Sequence, residues 1–183
     1  MAALTAVMVA AAPKHPQRDV TVYVRENTRV APEVRAPAFH LADKMFAAIG
    51  IRLHRYTGAP PRRTSNRHVA IELTADNPPR AMPGAMGSAT PFEGVHIRVF
   101  YDRVWSETVS RGVLLAHVLV HEIAHILQGT DQHSESGIMK AVWDHSDHLQ
   151  MREGPLAFTP QDVELIYRGL DARESDARTV RLQ

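Results

Sequence analysis

The chain has 183 residues, of which 44% are apolar and 22% charged, and its formal net charge is +1. That length builds one domain with an ordinary core, and the near-zero charge with scattered basic residues offers no case for a nucleic-acid surface. There is no cysteine, which excludes disulfides, redox dithiols and thiolate metal sites and leaves histidine and carboxylate as the strong metal ligands.

The first residues, MAALTAVMVAAAPKHPQ, join an apolar stretch to small residues as a secretory signal does, but without a basic start. A truncated signal, an atypical signal and an Ala-rich terminus all fit residues 1–17. The secretory readings are favoured, giving a secreted or periplasmic protein whose single globular domain occupies 18–183. No apolar run reaches the roughly 20 residues that a membrane-spanning helix needs.

Residues 19–24 (DVTVYV) alternate β-branched and aromatic side chains with polar ones, the pattern of a strand. Over 33–49 the positions Phe39, Leu41, Met45, Phe46 and Ile49 form a helical face, with Gly50 at its stop and Pro37 marking where the well-formed part begins. Residues 51–56 (IRLHRY) and 68–73 (HVAIEL) read as the next two strands, and PPRRTSNRH between them as a solvated loop. The Pro- and Gly-rich DNPPRAMPGAMGSATPFEG is mostly loop, with 85–90 as a short edge strand. VHIRVFY (95–101) is again a strand. A long apolar helix then runs from about Ser106 or Ser110 to Gln128 and ends at Gly129. The last helix, in TPQDVELIYRGL, has Thr159 at its N-cap, Pro160 first, Asp162 and Glu164 in its early turns and Gly169 near its end. The charged tail after Asp171 is expected to fray.

The chemistry concentrates in that long helix, at His121-Glu122-Ile123-Ala124-His125. Histidines four apart on a helix stand about 40° from eclipsed and roughly 6 Å along the axis, so both rings can reach one metal ion. Glu122 is displaced to the side, where it can hold a metal-bound water instead of the metal. Three protein ligands, an open fourth position and a nearby carboxylate define a catalytic zinc site. An ordinary half-buried helix with unremarkable histidines is the bland alternative, but an ionisable trio in so apolar a segment is costly to bury without a metal or hydrogen bonds. A third ligand cannot ride the same helix, because His133 would then lie about 12 Å further along its axis. A left-handed residue at Gly129 would turn the chain back and free His133 to return. Asp131 is a second candidate for that ligand, and a distant carboxylate such as Glu164 or Asp144 a third. His117, one turn before His121, reads as a satisfied buried histidine or a supporting donor. His145 and His148 read as solvated surface.

HEIAHILQGTDQHSESGIM resembles the metzincin clan of zinc metallopeptidases, whose motif HExxHxxGxxH precedes a turn carrying a methionine beneath the metal. The matching residues are His121, Glu122, His125, Gly129, His133 and Met139. The pair His133-Ser134 and the last helix, FTPQDVELIYRGL, look like the matrix-metalloproteinase version. Gly129 falls one residue later than the clan pattern and His133 two later, so Asp131 holds the counted position of the third ligand; a longer loop ending at His133 accommodates both shifts. The resemblance implies a divergent, bacterial-type member with an α+β, zincin/metzincin-like fold. That fold has a mixed four- to five-stranded sheet packed on helices and a central active-site helix.

By the same resemblance, residues 18–183 form a metallopeptidase-like catalytic domain with one catalytic Zn2+. His121, His125 and His133 would bind it and Glu122 would activate the metal-bound water. The substrate would be a peptide or protein, extended along the edge strand near Ala85–Ala89. Tyr167 and Tyr101 are candidate oxyanion donors by residue type alone, and Ala141, Val142 and Trp143 candidates for the specificity pocket. Two other readings stand beside this one: a zincin-like protein that binds a metal or partner without catalysis, and a zinc hydrolase of non-peptide substrates. Oligomeric state is not legible.

Overall fold

The computed structural model describes residues 15–61, 68–76, 84–92 and 94–181, with side chains as far as 175. The signal-like residues 1–14 and most of the PPRRTSNRH loop lie outside the described residues. The elements run β1 (Arg18–Glu26), α1 (Pro32–Ala47), β2 (Ile51–Thr57), β3 (His68–Thr74), β4 (Gly87–Ala89) and β5 (His96–Phe100). After a short 3-10 turn follow α2 (Arg111–Gln128), α3 (His145–Glu153) and α4 (Pro160–Arg181).

The five strands form one mixed sheet in the order β2-β1-β3-β5-β4. The pairs β1–β2, β1–β3 and β3–β5 are parallel, and β4 alone runs antiparallel, along β5. Alternation puts Val20, Val22 and Val24 of β1 in the core with Val69, Ile71 and Leu73 of β3 and with Ile97 and Val99 of β5. The opposite face carries Asp19, Tyr23 and Arg25, with Arg25 and Arg98 paired to Glu72. This is the expected α+β architecture, a mixed sheet against helices with α2 at the centre.

Helix α2 is apolar on nearly every side, as a helix enclosed by other elements must be. From Leu114 to Leu127 every residue is buried. Its ends are specified locally. The Ser110 hydroxyl accepts from the Val113 N–H, and Gly129 closes the helix at φ 71°, a left-handed conformation that a Cβ would strain. Helix α4 lies directly on the last turn of α2: a Cβ at Gly169 would collide with the Leu127 carbonyl, so only glycine permits this approach.

Three details depart from the sequence reading. Helix α1 begins at Pro32 and runs through Pro37. Pro32 takes the first helical position, where a missing N–H costs nothing, and Pro37 lies on the exposed side of the helix, its ring in solvent. Helix α4 continues past Asp171 to Arg181 because it is tied down: Arg173 donates to the Ile126 and Gly94 carbonyls, and Arg18 pairs with Asp171 and Glu174. The third is α3, a helix that the sequence reading takes for solvated surface. Asp144 caps it by accepting from the Ser146 and Asp147 N–H groups, while the Asp147 carboxylate accepts from the Asp144 N–H.

Candidate metal centre

His121, His125 and His133 converge, their ligand nitrogens lying within 4.8 Å of one another. The first two are buried on α2 and the third is exposed on the segment after Gly129. The rings of His121 and His133 stack at 5.2 Å between centroids, and those of His125 and His133 meet edge to face at 4.8 Å. The turn at Gly129 thus does what its position suggested, bringing His133 back over the end of the helix.

Hydrogen bonds fix how the two buried rings face. His121 Nδ1 lies 2.9 Å from the Ile138 carbonyl and His125 Nδ1 2.9 Å from the Thr130 carbonyl. A carbonyl only accepts, so each Nδ1 carries the hydrogen and each neutral ring keeps a bare lone pair on Nε2. Those two Nε2 atoms are 3.0 Å apart. Two lone pairs at that separation repel unless a cation stands between them. A proton is disfavoured: burial, reinforced by the neighbouring His125, pushes His121 down to about 3, and burial also lowers His125. Two nitrogens bound at about 2.0–2.1 Å to a tetrahedral ion would stand roughly 3.3 Å apart, so the spacing suits a shared ion. An all-imidazole donor set fits zinc.

Glu122 lies beside this pair, 7% exposed. Burial pushes its carboxyl up to about 8, against the opposing effect of a hydrogen bond from the Ala89 N–H. Its side chain passes so close to β4 that a Cβ at Gly87 would stand 2.6 Å from Oε1 and 2.7 Å from Cγ. Gly87 is therefore part of the site, although the sequence reading did not single it out. The signal was a glycine inside a short strand, which often marks a close approach.

The turn at 137–140 is joined to the site by hydrogen bonds. Met139 is wholly buried, its carbonyl accepts from the Ser134 N–H, and the preceding Ile138 carbonyl is the one that holds His121. Ser134, next to His133, donates to Asp162 at 2.5 Å. Asp162 is itself 2% exposed and accepts from the Thr159 N–H at the start of α4. Asp162 was expected as a helix-start residue; its second partner ties the His133 loop to α4.

The remaining candidates separate cleanly. Asp131 lines the cleft but is not one of the three converging groups. Asp144 is engaged as the α3 cap and by Lys140, and Glu164 is exposed on α4. His117 is 0% exposed and satisfied on both nitrogens, by the Val113 carbonyl at 2.7 Å and the Leu156 N–H at 3.1 Å. Neither tyrosine reaches the cleft. Tyr167 donates to the Ile49 carbonyl and stacks on His15, and Tyr101 lies buried under Arg111. Ala141, Val142 and Trp143 do line the cleft, a space of about 660 Å³, and His148 lines it with them instead of pointing into solvent.

No family model and no curated protein matches this chain. Among solved structures, the fold is similar to archaemetzincin from Methanopyrus kandleri at 14% identity and a TM-score of 0.57, covering 83% of this chain and 96% of that one. It is also similar to archaemetzincin from Archaeoglobus fulgidus complexed with malonate, at 14% identity and a TM-score of 0.52, covering 79% of this chain and 99% of that one. The chain therefore has the zincin-like α+β fold of these proteins.

Proposed function

We propose that this chain is a zinc-dependent peptidase, with His121, His125 and His133 as metal ligands and Glu122 as general base. The observation that carries this is the pair of buried Nε2 lone pairs 3.0 Å apart, each aimed by a carbonyl on its own Nδ1, with a buried carboxylate alongside. Bound there, zinc would act as a Lewis acid that polarises a carbonyl and lowers the pKa of water towards about 7.

The protein's own groups do the rest. Glu122 accepts the proton of the attacking water and returns it to the leaving nitrogen, a role suited to a buried carboxylate held beside the three imidazoles, where the charge of a bound dication would keep it ionised. The Ala89 N–H and the absent side chain at Gly87 hold that carboxylate in place. Strand β4 supplies a docking edge. Its hydrogen bonds to β5 run through Met86 and Thr90, so alternation turns the backbone groups of Gly87 and Ala89 to the open side. A peptide extended along that edge meets the Gly87 N–H and C=O and the Ala89 C=O, beside Glu122. Met139 takes the part of the clan's methionine turn, supporting the ligands from beneath.

The test is Glu122→Gln. Hydrolysis of a denatured protein mixture should fall by about 10²–10⁴-fold while one zinc per chain is retained. Undiminished cleavage would reject Glu122 as the base. We propose separately that the protein is secreted or periplasmic, an expectation supported by the signal-like residues 1–17 of the sequence and checked by fractionation with N-terminal sequencing.

A further inference from the structure

Asp131 is the one charged side chain of the cleft that the metal centre leaves without a task. Besides the histidines, the charged residues lining the cleft are Glu122, Asp131 and Lys140. Glu122 lies against β4 and accepts from the Ala89 N–H. Lys140 is taken by Asp144 and Asp147, each 2.6 Å away, which leaves that trio net negative. Asp131 is exposed, and among the described residues its carboxylate has no hydrogen bond or ion pair. Metal ligation falls to His133, whose nitrogen converges with those of His121 and His125.

The carboxylate is free, but the backbone that carries it is held on both sides. Before it, the Thr130 carbonyl is bound by His125 Nδ1 at 2.9 Å, and the Thr130 hydroxyl accepts from the Gln132 N–H at 3.2 Å. After it, Ser134 donates its hydroxyl to Asp162 and its N–H to the Met139 carbonyl. Asp131 thus sits in the short, anchored loop that joins two metal ligands, close enough for its charge to act on His125. A fixed carboxylate beside a substrate cleft attracts a cation and repels an anion. With Lys140 already neutralised, no other cationic side chain lining the cleft offsets that preference.

We infer that Asp131 selects a basic side chain, lysine or arginine, on the bound polypeptide, accepting a charge-assisted hydrogen bond from it. The inference rests on reading the cleft as a peptide-binding site. Because Asp131 is open to water, the gain over a neutral side chain is that of an exposed ion pair, about fivefold in affinity.

Peptides with acetylated and amidated ends, in which lysine, norleucine or glutamate scans six successive positions, test this on zinc-loaded Glu122→Gln protein, which binds without turnover. The blocked ends leave the scanned side chain as the only charge that varies. At one position lysine should bind about fivefold more tightly than norleucine, and glutamate more weakly than either. Asp131→Asn, similar in size but uncharged, should bring the lysine-to-norleucine ratio to about one with one zinc per chain retained. Asp131→Lys should make glutamate the preferred residue at that position. A ratio below about twofold at every position, a lysine preference that survives Asp131→Asn, loss of zinc in that variant, or no binding at all would each overturn the inference. Cleavage of all three peptide series at equal rates by the native enzyme overturns the role of Asp131 and leaves the peptidase reading standing. Lysine-selective binding without any cleavage by the native enzyme does the reverse.

Discussion

The two halves of helix α2 treat the same residue type in opposite ways. In the first half, His117 is enclosed and both ring nitrogens are satisfied by backbone, Nδ1 donating to Val113 and Nε2 accepting from Leu156. One turn later, His121 and His125 each spend Nδ1 on a carbonyl and are left with Nε2 facing Nε2. Burial lowers the basicity of all three, so burial alone does not tell a structural histidine from a ligand. Counting partners for each nitrogen does. A histidine with two backbone partners braces the fold, and a pair whose free nitrogens confront each other asks for a cation.

The widest consequence of that comparison falls on the ligand half, through Glu122. Gly87→Ala places a Cβ where the Glu122 side chain now lies, so the carboxylate must move. Activity should fall about a hundredfold with zinc content and melting temperature nearly unchanged, since small misplacements of a catalytic group cost that much. Normal activity in this variant would mean that Glu122 does not need its present position. Next in size is Ser134→Ala, which cuts the link from the His133 loop to Asp162. Zinc should bind about tenfold more weakly in a competition titration with a chelator, as when other groups that orient ligands are lost. An unchanged affinity would show that His133 is held by other means.

The smallest effect belongs to the structural half. Burial keeps His117 neutral below the ordinary 6.5, so between that value and its lowered folded value the unfolded chain binds more protons than the folded one. Stability therefore falls as pH drops through 6.5, because a proton on Nε2 would confront the Leu156 N–H. The loss should be about 1 kcal/mol per pH unit, and His117→Gln, whose amide does not titrate, should flatten that part of the curve in denaturant melts. An equally steep acid limb in the variant would remove His117 from the account.

Much of this was legible in the sequence because it was local. Ser110 and Gly129 mark the ends of α2, the i, i+4 spacing puts His121 and His125 on one side, and Gly129 forces the turn that returns His133. Alternation in β1, β3 and β5 gave the buried face of the sheet. What was not legible depends on contacts between distant segments. A glycine inside a short strand signals a close approach at Gly87, but nothing near it signals that the partner is Glu122, 35 residues later in the sequence. The bond between Ser134 and Asp162 joins a loop to a helix cap in the same hidden way. Tyr101 and Tyr167 could be put forward only by residue type, and tertiary packing took both into the core. Helix α3 was missed because Met151 is its only buried residue, so it has no apolar stripe to read. Its Asp144-x-x-Asp147 cap was the one available sign.

The central claim is that three imidazoles share one dication, and an anomalous diffraction map of zinc-loaded crystals tests it most directly. The account predicts a single peak about 2.0–2.1 Å from one nitrogen each of His121, His125 and His133, with Glu122 near but not bound. A peak held by His121 and His125 with His133 turned away, or an ion bound elsewhere on the chain, would contradict it.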